Sequence, residues 1–212
     1  MKKILLITII LLVGSAIVAY NLKIRNKIIK VVSASEPSNL KPSVLPKINE
    51  AVSFVNKNKM NKEMAILINY HLHSGLKRGY IVDLKLKKAI DSFMVSHGCG
   101  SNSWGQDFSK TSPQFSNEPE SHCSSLGKYK IGERGYSSWG INVKYLMHGL
   151  EKTNSNALKR TIVLHGWGDV PENEVYPGGT IEGWGCPAVA NTCMTKLDSM
   201  LKKQKNVLLW TY

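Results

Sequence analysis

Residues 183–189 read GWGCPAV, and a helix-like pattern of apolar residues continues from there to position 201. The apolar positions recur at the spacing of one face of an amphipathic helix. Pro187 suits the first turn of such a helix, where no hydrogen-bonded N–H is needed. We therefore predict a helix that begins directly after Cys186. Its positive end would favour an anion, so the pKa of the Cys186 thiol is expected to be low and the thiol to act as a nucleophile.

A candidate base lies 21 positions upstream of this cysteine. His165 directly follows the apolar run 161–164 (TIVL), which is typical of a buried strand, and an imidazole at a strand end is held rigidly yet can face a cleft. Within hydrogen-bond reach it could take the thiol proton. The backbone N–H groups of Gly185 and Cys186 are the simplest candidates to bind an oxyanion. These residues alone are also compatible with a buried structural cysteine and a core histidine that have no catalytic role.

Short strand-like runs account for most of the chain beyond residue 60. They comprise residues 64–70, 80–84, 90–96, 128–131, 141–146, 161–164 and 206–211. Residues 47–58 have the pattern of a short helix, and the polar segment 102–120 is predicted to be a long loop. With few helices between the strands, we expect a mainly β domain with some α, as a β-sandwich or mixed sheet, and not a doubly wound α/β fold.

The N-terminus has the composition of a targeting segment. Residues 4–20 are apolar and follow two lysines, so residues 1–32 are predicted to be a signal peptide or an N-terminal membrane anchor. Four basic residues after the apolar stretch argue against easy export, because positive charge prefers the cytoplasmic side. We favour export and keep a cytosol-facing anchored protein as the alternative. Residues 33–46 are rich in Ser and Pro and are predicted to be a linker to a domain at 47–212.

The net charge and the cysteine positions bear on nucleic-acid binding, metal binding and disulfide formation. The net charge is +13, but six of the 28 basic residues lie in the first 35 positions, and the rest are scattered. No nucleic-acid motif accompanies them, so we expect no nucleic-acid partner. No tight pair of ligands predicts a metal site. Cys99 and Cys123 are predicted to be able to form a disulfide in an oxidising compartment, which would leave Cys186 reduced.

Several segments between residues 64 and 212 occur in the order of a known family pattern. They are residues 95–98 (VSHG), 115–117 (FSN), 124–127 (SSLG), 149–151 (GLE), 154–157 (NSNA) with Arg160, 162–166 (IVLHG) and 185–189 (GCPAV). In these segments the chain resembles the L,D-transpeptidase catalytic-domain family of the YkuD type, which are cell-wall enzymes. The resemblance implies a mostly β catalytic domain, a thioester intermediate on Cys186 and His165 as the general base, with no metal or organic cofactor.

The resemblance also implies a substrate and further contacts. Peptidoglycan stem peptides would be the partner, with transfer of the acyl group to an amine or, as L,D-carboxypeptidase, to water. The candidate substrate contacts are Gly166, Trp184, Ser124, Ser125, His97 and Arg160. We expect a monomer exported to the cell envelope or periplasm, associated with the membrane if the N-terminal segment is uncleaved.

Two alternatives to this function remain at the level of the sequence. One is a non-catalytic cell-wall-binding module of the same fold, and the other is a Cys–His amidase or peptidase with another substrate. The first gains weight from a departure at Gly183 and Trp184. Family members commonly carry serine or threonine three positions before the cysteine, and many have histidine two before. The acidic residues of the segment 166–182 are a solvated loop or, alternatively, a contact for a cationic stem residue.

Overall fold

One eight-stranded mixed sheet organises the protein. The structure is a computed structural model that describes residues 43–212. The strands are β1 Met64–Ile68, β2 Gly79–Asp83, β3 Lys88–Phe93, β4 Gly127–Tyr136, β5 Val143–Gly149, β6 Val163–Gly166, β7 Ala188–Val189 and β8 Leu208–Thr211. They lie side by side in the order β3-β2-β1-β8-β4-β5-β6-β7. The prediction of a mainly β domain with a mixed sheet is confirmed, and each of the seven predicted strand runs contains or overlaps a strand.

Strand β1 shows why the sheet is covered on both faces. All five of its residues are buried. Because side chains alternate across a strand, Ile66 and Ile68 enter one apolar core while Ala65 and Leu67 enter the other. β1 pairs with β2 antiparallel and with β8 parallel, so it is central in its part of the sheet. A continuous apolar run such as MAILI is what burial on both faces requires.

The first helix, α1 (Leu45–Lys57), covers one face of the sheet. It buries Ile48, Ala51 and Val55 against β1, β2 and β8. A proline in its first turn is compatible with the missing backbone donor there. The helix predicted at 47–58 is confirmed, and it begins two residues inside the predicted linker 33–46. The predicted signal peptide or anchor at 1–32 lies outside the described residues. Within residues 43–212, no helix has both the length and the apolar character needed to cross a membrane.

The second helix, α2 (Asn191–Leu201), covers the other face with Met194, Leu197 and Leu201. The prediction that this helix begins directly after Cys186 is wrong. Ala188 and Val189 form β7, which pairs parallel with β6, and the helix starts only at Asn191. The physical reason is a set of neighbours that periodicity cannot reveal. The N–H of Ser96 donates to the carbonyl of Ala188 at 2.8 Å, and Val95 bridges Val189, so the segment is held as extended chain from both sides.

The remaining connections place loops around the end of β6. A 3₁₀ turn, Lys152–Asn154, links β5 to β6. The predicted loop 102–120 contains no helix or strand, as expected. The parallel pairing of β6 with β7 sets His165 beside Ala188, two residues after Cys186. The topology therefore brings the two residues selected from the sequence to one edge of the sheet.

Candidate active site

Cys186 and His165 line the same cavity, which has a volume of about 120 Å³. The other lining residues are Ser96, Trp104, Trp139, Trp167, Gly183, Trp184 and Ala188. The thiol lies against the start of β6, where the N–H of Val163 donates to Sγ at 3.4 Å. Since Val163 and His165 are two positions apart on one strand, their side chains leave the same face of the sheet. The structure thus places the predicted nucleophile and base in one pocket.

The imidazole of His165 is held in the tautomer that a base requires. Its Nδ1 lies 2.9 Å from the carbonyl oxygen of Gly166, which can only accept, so Nδ1 carries the proton and Nε2 is left as the basic nitrogen. Burial lowers the pKa of His165 below its ordinary value, and Lys144 on the paired strand β5 lowers it further. The ring is therefore neutral at neutral pH and ready to receive a proton. Gly166 contributes through its carbonyl, as an orienting group.

The expected low pKa of Cys186 is wrong. Burial raises the pKa of the thiol above its ordinary value, and the N–H of Val163 and the positive charge of Arg160 offset this only in part. Because α2 begins five residues later, the helix dipole, whose effect fades within a turn, does not act on the sulfur. Both shifts favour a neutral thiol beside a neutral imidazole.

The turn before the cysteine has a backbone that only glycine adopts easily. Gly185 has φ +101°, and a Cβ there would collide with the carbonyl oxygen of Cys123. Ser124 holds the turn, because its hydroxyl donates to the Gly185 carbonyl at 3.1 Å and accepts from the N–H of Gly98. Among the described residues, the N–H groups of Gly185 and Cys186 donate to no partner. Both remain available to a ligand oxygen in this turn.

Arg160 and Ser125 support the site from behind. Both terminal nitrogens of the guanidinium donate into the segment 116–125: Nη1 to the Ser116 carbonyl and the Ser125 hydroxyl, and Nη2 to the Cys123 carbonyl at 2.6 Å and the Ser121 hydroxyl. Arg160 thereby fixes the chain that contacts Gly185. Neither Arg160, Ser124 nor Ser125 lines the cavity. These three predicted substrate contacts bond to neighbouring segments of the chain, outside the cavity wall.

His97 is also absent from the cavity wall and is fully buried. It belongs to a chain of hydrogen bonds that runs in one direction. Nη2 of Arg78 donates to Nδ1 of His97 at 2.7 Å, and Nε2 of His97 donates to the Ser109 hydroxyl at 2.9 Å. That hydroxyl donates to Oε1 of Glu182 at 2.9 Å. A guanidinium and a carboxylate are thus joined through a neutral imidazole next to Gly183. Glu182 is therefore unavailable to a cationic stem residue.

This buried histidine predicts a dependence of stability on pH. Burial, together with Arg78, lowers the pKa of His97 to about 3. The unfolded chain, with an ordinary histidine, binds more protons between pH 6.5 and 3, so the free energy of unfolding must fall as the pH falls through that range. His165 acts in the same direction. We expect the urea midpoint to decrease steadily from pH 7 to 4, above the ordinary pKa of aspartate. Equal midpoints at pH 7 and 4 would contradict a neutral His97.

Most residues of the cavity wall were not predicted as site residues. Trp104, Trp139 and Trp167 were not predicted as site residues, although they line the cavity with the predicted Trp184. Trp139 is placed by the β4–β5 turn, where Gly140 packs so closely on the carbonyl of Gly166 that a side chain would collide. An isolated tryptophan in the polar loop 102–120 is the one signal that could have been noticed. For Arg78 and Ser109 the sequence contains no signal.

Gly183 faces Ser96, whose buried hydroxyl has no hydrogen-bond partner among the described residues. A Cβ at Gly183 would lie 3.4 Å from Cζ3 of Trp167 and 3.7 Å from Oγ of Ser96, both ordinary contacts. The position therefore has room for the hydroxyl that the family pattern commonly places there.

We expect Gly183→Ser to fold and to change the free energy of unfolding by less than about 1 kcal/mol, since a hydrogen bond to Ser96 would offset the added bulk. Gly98→Ser is the matched control. A Cβ at Gly98 would collide with the carbonyl of His122, so this variant should be severely destabilised. Urea unfolding of both variants checks the pair. If Gly183→Ser lowered the free energy of unfolding as much as Gly98→Ser does, the open space at position 183 would be contradicted.

Cys99 and Cys123 are both free thiols, so the predicted disulfide is not formed in this structure. Each instead lies near a backbone carbonyl, Cys99 Sγ at 3.7 Å from Gly100 and Cys123 Sγ at 3.3 Å from Ser121. Cys193 is partly buried against the core. Within residues 43–212, no group of three or more His, Cys, Asp or Glu side chains is arranged to hold a metal ion.

Comparison with known proteins settles the family. The sequence pattern of the L,D-transpeptidase catalytic domain matches residues 36–212. The chain belongs to this family. The match covers every element of the described fold and both residues of the Cys–His pair. No curated protein matches the chain.

Solved structures with a similar arrangement are distant in sequence. An L,D-transpeptidase from Xylanimonas cellulosilytica has 11% identity and a TM-score of 0.42, over 72% of this chain and 61% of that one. Bd1075 from Bdellovibrio bacteriovorus has 15% identity and a TM-score of 0.44, over 73% and 49%. Pgp2 of Campylobacter jejuni, a helical cell shape determining protein, has 14% identity and a TM-score of 0.37, over 75% and 54%. This chain therefore matches between about half and three fifths of each of these chains.

Proposed function

We propose that this protein is a cysteine-dependent peptidoglycan L,D-transpeptidase. The observation that carries the proposal is the cavity shared by Cys186 and His165, with the imidazole in the tautomer that leaves Nε2 free. Family membership supports the substrate class, since this family acts on peptidoglycan stem peptides. The amide between the third and fourth residues of a stem is the bond to be broken.

In the acylation step, Sγ of Cys186 attacks the carbonyl carbon of the third residue while its proton passes to Nε2 of His165. The raised pKa of the thiol and the lowered pKa of the imidazole keep this proton on sulfur until a carbonyl is in place. The tetrahedral oxyanion accepts hydrogen bonds from the N–H groups of Gly185 and Cys186. On collapse the C–N bond breaks, the fourth residue leaves as an amine with the proton from His165, and a thioester remains.

Deacylation reverses these roles. An amine of a neighbouring stem attacks the thioester and gives its proton to Nε2 of His165, which returns it to the sulfur as the C–S bond breaks. A new amide is the product, and the free thiol is restored. Water in place of the amine gives a shortened stem, which is L,D-carboxypeptidase activity.

The test is incubation of the full-length protein with a disaccharide-tetrapeptide, followed by separation and mass analysis of the products. We expect release of the fourth residue together with a cross-linked dimer. A shortened tripeptide without dimer would overturn transpeptidation in favour of trimming. An unchanged substrate from a folded protein would overturn the catalytic proposal and favour the non-catalytic wall-binding module.

Export to the cell envelope is part of the same proposal, because the substrate lies outside the cytoplasm. The apolar residues 4–20 support it. Fractionation of cells that express the full-length chain tests this location, and recovery of the protein in the cytosol alone would overturn it.

A further inference from the structure

Four of the five tryptophans of the chain surround the cavity of Cys186. Three of them are largely open to solvent: Trp104 is 44% exposed, Trp139 45% and Trp184 62%. The fifth, Trp210, is buried in the core beneath α1. A contiguous patch of large exposed aromatic side chains often marks a binding site.

The four indoles of the cavity are held in place before any ligand arrives. Trp167 is buried, and its Nε1 donates to Oδ2 of Asp169 at 3.1 Å. Trp104 stacks on Trp167 with ring centroids 5.3 Å apart and planes 20° from parallel, and Trp139 meets Trp167 edge-on at 5.7 Å. Trp184 stacks on His122 at 5.1 Å. One face of Trp104 and one of Trp184 are thus covered, while both rings keep exposed surface for a ligand.

The cavity wall lacks the carboxylate that helps to attract a cationic ligand. Aromatic cages often bind ammonium groups, which a nearby carboxylate helps to attract. Here no lining residue is Asp or Glu. The charges that act on Cys186 are those of the cations Arg160 and Lys144. The surface therefore fits a neutral ring with weakly positive C–H bonds, which the negative face of an indole attracts.

We propose that Trp104, Trp139 and Trp184 bind a pyranose ring of the glycan strand that carries the donor stem peptide. This rests on the proposed function for the identity of the glycan. A stem of three residues spans at most about 10 Å, so a sugar linked to its first residue lies just outside the cavity that holds the third. Trp104, Trp139 and Trp184 line this cavity and keep exposed surface at its edge. The indoles therefore bind the glycan while the cysteine reacts with the peptide.

Saturation-transfer NMR with chitotetraose, a neutral N-acetylglucosamine oligomer, tests the surface in full-length Cys186→Ala protein, which removes any reaction. We expect saturation of the sugar ring protons, reduced at least threefold by adding Trp104→Ala and by adding Trp184→Ala. Trp210→Phe is the matched control, because that residue lies away from the cavity, and it should leave the signal unchanged. No saturation, or equal saturation in all folded variants, would overturn the proposal.

Two further measurements distinguish sugar binding from cation binding and from the proposed reaction itself. Tetramethylammonium should fail to displace chitotetraose, and displacement at similar concentration would make the surface a cation cage instead. With active protein, kcat/KM for a disaccharide-tetrapeptide should exceed that for the free tetrapeptide, and Trp104→Ala should reduce this ratio. Sugar binding without turnover would support the sugar-binding surface and overturn the proposed reaction. Turnover of both substrates with equal kcat/KM would support the reaction and overturn the sugar-binding surface.

Discussion

Cys186→Ala is expected to abolish covalent modification of the protein by a carbapenem. The wild-type chain should gain the mass of one inhibitor molecule, because a β-lactam carbonyl placed in the cavity meets Sγ of Cys186 with Nε2 of His165 available as base. Alanine removes the only attacking atom, and loss of a catalytic nucleophile typically lowers rates by more than about 10³-fold. Intact-mass measurement after incubation at neutral pH reads the result directly.

The other cysteines provide the control. Burial raises the pKa of Cys193 to about 12, and it also raises the pKa of Cys99. Neither lines the cavity of Cys186. Cys193→Ser should therefore keep the full mass shift. A mass shift that persists in Cys186→Ala, or that disappears in Cys193→Ser, would show that another thiol is the nucleophile. His165→Gln should retain the fold and slow the modification by about 10²–10⁴-fold, as expected for loss of a general base.

Arg78→Ala is expected to lower the free energy of unfolding by about 3–5 kcal/mol. The guanidinium is fully buried, and it is linked through His97 and Ser109 to the buried carboxylate of Glu182. It also donates to the carbonyls of Val95 and Leu72. Removing it leaves the Glu182 charge without its counterpart and two carbonyls without donors. Urea unfolding at pH 7 measures the loss.

Arg134→Ala is the matched control for this experiment. Arg134 also pairs with a carboxylate, Asp198, but 44% of its side chain is exposed. Asp198 keeps Lys202 and the Tyr145 hydroxyl as partners when Arg134 is removed. Exposed pairs contribute about 0–1 kcal/mol. A similar loss in both variants would mean that burial of Arg78 is not what makes its network costly to break.

The strands were predictable from the sequence because their signal is local. The runs MAILI at 64–68 and LLW at 208–210 are apolar throughout, and burial on both faces follows from that composition. The partners of each strand were not predictable. Pairing of β1 with β8 joins residues more than 130 positions apart, and no local pattern specifies it.

In the candidate site, too, features with a local sequence signal were predictable and features that depend on distant contacts were not. Cys186 and His165 could be identified because one lies in a glycine-rich turn and the other ends an apolar run. The state of the thiol could not, since it depends on where α2 begins. The apolar pattern from 189 to 201 fits a helix from either starting point. Residues 188–189 are extended because they pair with β6 on one side and with Val95 and Ser96 on the other. Likewise, Ser124 and Arg160 were recognised as important, but their roles came from contacts with Gly185 and Cys123 that are distant in sequence.

The neutral thiol at the base of the cavity has a consequence for the lifetime of the protein. Peroxides and alkylating agents react with thiolates, and their selectivity among cysteines follows thiolate character and exposure. Because burial keeps the proton on Cys186, the sulfur is a poor target for such reagents when the cavity is empty. In the proposed reaction, the sulfur becomes reactive when a carbonyl group lies beside His165 and the proton can pass to Nε2.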